Sequence, residues 1–122
     1  MAMKRIILEM GTGNDLYGED YTKACKRAIQ DALHHSSLSL FRTLGIDRDS
    51  MQVEVTVGVQ HPEQVDTELL AKEIPFGTVT VNAKLGGLNV VDPEQETTTV
   101  IAAAAVAARL DLPPGRFAIK QN

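Results

Sequence analysis

An apolar run, Ile6-Ile7-Leu8, passes into Glu9-Met10-Gly11-Thr12-Gly13-Asn14-Asp15-Leu16-Tyr17-Gly18-Glu19-Asp20, and a helical repeat starts directly after it. A strand must therefore hand over to a helix through a turn rich in glycine and acid. Such junctions present backbone amides and side chains on a rigid scaffold. Capping and turn formation account for Asp20, but not for three glycines and three acids in one segment. The Gly11–Lys23 segment is thus the candidate ligand loop.

The helix beginning near Asp20 carries Tyr21, Ala24, Cys25, Ala28, Ile29, Ala32 and Leu33 on one stripe. The stripe could continue through Leu40, Phe41 and Leu44, with a break at His34-His35-Ser36-Ser37 and Gly45 as the cap. Residues 4–10 read as the first strand, with Arg5, Ile7 and Glu9 on one face and Ile6, Leu8 and Met10 on the other. Met51–Gln60 alternates without interruption and stops at His61-Pro62. Asp66–Ile74 reads as a short helix with Asp66 as N-cap. Thr78–Leu85 alternates again before Gly86-Gly87. The alanine-rich Pro93–Leu110 segment reads as a second long helix. Beyond Pro113-Pro114-Gly115, Phe117 and Ile119 would belong to a last strand.

These elements give β-α-β-(short α)-β-α-β in a single domain spanning 1–122. The fold class is α+β, a two-layer sandwich with two main helices on one face of a four-stranded mixed or antiparallel sheet. Only 4% of residues are aromatic, so Val, Ile, Leu and Ala must fill the core. The net charge of −4 and the lack of a Lys/Arg stripe argue against nucleic acid. No apolar run is long enough for a membrane helix, and no leader pattern precedes the first strand. The lone cysteine, Cys25, suits a reducing cytoplasm and falls on the buried stripe, a core position rather than a nucleophile.

The strands share a face carrying Arg5, Glu9, Gln52, Glu54, Thr56, Gln60, Thr78, Thr80, Asn82, Lys84, Arg116 and Lys120. A solvated sheet face accounts for it, and so does burial against copies of the same chain. The second reading predicts a homo-oligomer, expected as a trimer, with a small polar metabolite between subunits. The ligand residues would be Gly11, Gly13, Asp15, Tyr17, Asp20, Lys23 and Lys84. His61, Asp15 and Tyr17 are the candidates for catalysis, His61 for acid–base work. The glycines match neither the dinucleotide fingerprint nor a P-loop. No cofactor is expected, and no metal: the His and Cys spacing suggests no zinc site, and although Asp15, Glu19 and Asp20 could hold a hard cation through oxygen, their spacing alone is poor evidence for one. An enzyme acting on a small carbonyl or amide compound, and a ligand-free interaction protein, are the alternatives.

Glu9, Gly11, Gly13, Asp15, Gly18, Asp20, Thr22, Lys23 and Ala24, followed by Arg27-Ala28 and Asp31-Ala32, resemble the pattern of a family of small uncharacterised bacterial conserved hypothetical proteins. Pro75-Phe76-Gly77 and Gly86-Gly87-Leu88 resemble that family's later turn. Tyr17 stands where the pattern has histidine, so a proton-transfer role at this position does not carry over. The resemblance implies an architecture like that of trimeric chorismate mutase and YjgF-like proteins, with pockets between subunits. The unit is also similar to the repeat of cyanuric acid hydrolase and barbiturase. The lysine and serine of those enzymes fall near Gly11 and at Leu85, so their catalytic dyad has no counterpart here.

Overall fold

The computed structural model describes residues 4–34 and 50–110. β1 (Lys4–Asp15) leads through a five-residue loop into α1 (Tyr21–His34). β2 (Gln52–Val59) is followed by a single 3-10 turn, the short α2 (Thr67–Ala71), β3 (Thr78–Leu85), β4 (Leu88–Asp92) and β5 (Thr97–Leu110). The continuation through Leu40–Gly45 and the last strand at Phe117 and Ile119 lie outside the described residues, as do His35, Arg116 and Lys120.

The sheet runs β1-β5-β2-β3, with β4 also paired to β5. β5 is antiparallel to β1, β2 and β4, whereas β2 and β3 are parallel. β2 and β4 lie end to end along the same side of β5: Gly58 pairs with Ala103, and Leu88 with Ile101. The chain steps from the β3 position to the β4 position through Gly86 and Gly87. Gly87 has φ 60°, and a Cβ there would stand 2.1 Å from the Ile101 carbonyl oxygen, so only glycine fits the crossing.

The segment expected as the second long helix is the central strand. Alanine favours helix, but Thr97-Thr98-Thr99-Val100-Ile101 is β-branched, and this segment supplies the backbone partner for β1, β2 and β4. In register, Val100, Ala102, Ala104, Val106, Ala108 and Leu110 face the core, each at most 6% exposed. Among the described residues the layout is therefore five strands with one long and one short helix, not the four strands and two long helices expected from the sequence.

α1 buries the expected stripe, Tyr21, Ala24, Cys25, Ala28, Ile29 and Ala32, against β1 and β5. Met51, Val53, Val55, Val57 and Val59 complete the core, each at most 2% exposed. Removing each such valine from water contributes about 1.5–3 kcal/mol. Asp66 caps α2 by accepting from the Leu69 amide at 3.1 Å. Its own amide donates to Thr22 Oγ1 at 2.9 Å, which ties α2 to α1.

The facing of β1 is the second departure. Gly11, Gly13 and Asp15 turn inward, opposite Ala104, Ala102 and Val100. Leu8 and Met10 consequently point outward, and Glu9 is half-buried on the inner side. The outer sheet face is polar on β2 and β3, as expected, but carries an apolar band of Leu8, Met10, Ile101, Ala103, Ala105, Leu88 and Val90 across β1, β5 and β4.

Candidate functional site

Gly11 and Gly13 are not loop residues. They lie in β1 beneath α1, and a Cβ on Gly13 would stand 2.3 Å from the Ala28 nitrogen and 2.5 Å from the Ala24 oxygen. A Cβ on Gly11 would stand 2.4 Å from the Ala28 oxygen. Their missing side chains let the helix rest on the strand, so the packing of α1 explains both.

The loop itself is organised by Asp15, which is 5% exposed. Its Oδ2 accepts from the Gly18 amide at 3.1 Å and the Asp20 amide at 2.9 Å. Its Oδ1 faces two cations, Arg27 Nη1 at 3.7 Å and Lys23 Nζ at 3.8 Å. Asp20 caps α1, its Oδ1 accepting from the Lys23 amide at 3.0 Å. The amides that the sequence offers to an incoming anion are thus already bonded to the chain's own carboxylates. Position 15 is too far upstream for an ordinary helix cap, but the loop folds back over it.

Asp15, Leu16, Tyr17, Lys23 and Arg27 surround an open depression of about 370 Å³. The Lys23 and Arg27 side chains are 52% and 45% exposed, and Tyr17 stands out at 74%. Lys23 and Arg27 are one helical turn apart, which puts both cations on one face of α1. Arg27 also donates to the Asn14 carbonyl at 2.7 Å, which fixes its stem over the β1 edge. Sequence reasoning did not select Arg27 as a site residue; its spacing of four from Lys23 was the available signal.

The remaining candidates are dispersed. Lys84 lies on β3, opposite Gly58 of β2. In the order β1-β5-β2-β3 it is three strand spacings from β1, about 14 Å, so one chain does not bring it to the loop. His61 follows β2. Its ring meets the Tyr21 ring edge-on at 5.3 Å, and its Nδ1 lies 3.2 Å from Glu63 Oε1. Tyr21 is 3% exposed, and its hydroxyl accepts from Asn89 Nδ2 at 2.8 Å, while Asn89 Oδ1 is sealed from solvent with no partner among the described residues. This buried polar pair had no signal in the sequence, because Tyr21 and Asn89 meet only through the fold.

Cys25 is fully buried, and burial pushes its thiol up to about 12. At neutral pH it is a protonated core side chain. Among the described residues, no group of three or more His, Cys, Asp or Glu side chains is placed to hold a metal ion. No described helix is long and apolar enough to cross a membrane.

The chain is similar to a crystallised FtsZ-like protein of unknown function from Nostoc punctiforme. The two share 36% identity and superpose with a TM-score of 0.79, over 92% of this chain and 99% of that one. No curated protein matches. The model of a family described as conserved hypothetical protein (Lin0512 family) matches residues 5–108, a span that includes the loop, α1 and nearly all of the sheet. The chain therefore belongs to the Lin0512 family of conserved hypothetical proteins.

Proposed function

We propose that this protein is a cytoplasmic homo-oligomer that binds a small polar metabolite through an anionic group at the depression beside Asp15. The observation that carries the reading is the placement of Lys23 and Arg27. Both are half-exposed, both open onto the depression, and both share one carboxylate oxygen at 3.7–3.8 Å. Contacts of that length leave each cation donors to spare, and an arginine beside a lysine suits a carboxylate or phosphate. Exposed Tyr17 would lie against the body of the ligand. Asp15 and Asp20 act as positioning residues, since their oxygens hold the loop. Gly11 and Gly13 set the helix height and do not touch the ligand, and Lys84 reaches a site only across a subunit boundary.

The test is a thermal-shift screen of small carboxylates and phosphates with the wild-type chain, repeated with Lys23→Ala and Arg27→Ala. A stabilising compound whose shift disappears in both variants supports the reading. If every hit keeps its full shift in both variants, or no anion stabilises the chain, the reading fails. One observation favours a ligand-free interaction role instead: the loop amides are spent on Asp15. Failure of the screen would leave that role standing.

A further inference from the structure

We infer that the outer face of the sheet is a two-fold contact with a second copy of this chain, centred on β5. This deepens the oligomeric part of the reading above and is independent of any ligand. The face carries Met10, Leu88, Val90 and Leu8, which are 69%, 60%, 51% and 44% exposed. In register between them lie Ile101, Ala103 and Ala105 of β5, with Met10 opposite Ala105 and Leu88 opposite Ile101. Among the described residues no element covers this face, since α1 and α2 pack against the other side. β5 is 14 residues long, so the three-strand face, apolar in its middle rows and polar at Thr12, Asn14 and the Arg109–Glu54 pair, spans on the order of 650 Å² at roughly 4.8 Å spacing and 3.3 Å rise. That approaches the roughly 800 Å² per partner of a stable interface.

The occupant is a second copy because the face supplies both halves of the fit. Next to protruding Met10 is a hollow of about 540 Å³, floored by Thr56, Gly58, Ala103 and Ala105. Met10, Ala105 and Thr56 share one row across the sheet, and Thr12, Ala103 and Gly58 share the next. A two-fold axis between two such sheets, running along β5, lays β1 of each copy over β2 and β4 of the other. It keeps each residue in its own row. The second copy's Met10 then sits above Thr56 and Gly58, over the hollow. Ala103 and Ala105 of the two copies face one another at the axis, where small side chains let the sheets approach. At the far end, Asn14, Ile101 and Leu88 share a row, and Val90 pairs with Thr99, whose hydroxyl bonds the Leu16 carbonyl. Exposed Leu16 of one copy therefore meets the second copy's Leu88 and Val90. Such a patch is self-complementary, as a two-fold interface requires, and aligned sheet packing is a standard solution for two sheets.

The test is sedimentation equilibrium on the full chain. The expected mass is twice the 13.2 kDa chain, with Met10→Asp shifting the population to monomer and leaving the circular dichroism unchanged. Thr80→Glu, on the polar β3, should leave the dimer intact. Should Met10→Asp misfold, Ala105→Cys serves in its place: a short bis-maleimide should link it into a covalent dimer, since facing sheets lie about 10 Å apart, while Lys84→Cys should stay unlinked. A monomeric wild type overturns this contact and the oligomeric reading together. A trimer, or a dimer that is indifferent to Met10→Asp and gives no Ala105→Cys link, overturns only the contact.

Discussion

Replacing Gly13 by alanine tests the central packing claim, that α1 touches β1 backbone to backbone. The new Cβ would stand 2.3 Å from the Ala28 nitrogen, 2.5 Å from the Ala24 oxygen and 2.7 Å from the Arg27 carbonyl carbon. Ordinary contact begins near 3.4 Å, so the helix must retreat by about 1 Å, because backbone cannot rotate away as a side chain can. A gap of 0.5–1 Å forfeits roughly a quarter to a half of each dispersion contact it opens. Overpacking alone costs about 1–3 kcal/mol, and the displaced stripe from Tyr21 to Ala32 puts this case at the upper end or beyond. Stiffening the unfolded chain returns about 0.4–1 kcal/mol. The net expectation is a loss of about 3 kcal/mol, a large share of the roughly 5–15 kcal/mol that a domain has in total. In urea at fixed protein concentration, with a slope of about 1.5–2 kcal/mol/M, the midpoint should fall by about 1.5–2 M. Gln30→Ala, on the exposed side of α1, should stay within about 0.5 kcal/mol. Adding Ala28→Gly should not rescue Gly13→Ala, since the atoms met are main chain. A loss below about 1 kcal/mol, or rescue by Ala28→Gly, would refute the reasoning.

Asp15→Ala strands the Gly18 and Asp20 amides and should cost about 2–4 kcal/mol, whereas Asp15→Asn keeps an acceptor oxygen and should cost less; equal melting temperatures would assign the loop's order to the Lys23 and Arg27 pairs instead. Tyr21→Phe and Asn89→Leu should each cost about 1 kcal/mol, with the double variant costing clearly less than their sum; strict additivity in a denaturation cycle would dissolve the proposed pair. Cys25 should resist thiol reagents in the native protein below pH 9 and react on unfolding. Its folded value of about 12 exceeds the ordinary 9.0, so the folded state holds the proton longer, and its contribution to stability is complete below pH 9 and lost as pH rises toward 12. A flat stability profile across that window would contradict the assignment.

The sequence by itself determined the elements whose pattern is local. The α1 stripe from Tyr21 to Ala32, the alternation of β2 and β3, and the Asp66 cap of α2 each appear where periodicity and capping chemistry place them. It also held the family pattern, because that pattern is itself a string of residues. Tertiary structure decided the rest. Thr97–Leu110 is a strand despite its alanines because β1, β2 and β4 pair with it, and alanine is small enough to lie under a close helix on one face and leave the other flat. The facing of β1 was likewise decided by packing. Gly11 and Gly13 turn inward because only they admit α1, and a strand's period of two then sends Leu8 and Met10 outward. For the same reason the loop acids became internal ligands of the loop: which carboxylate meets which amide depends on how the chain folds back, a distance in space that spacing along the chain does not contain.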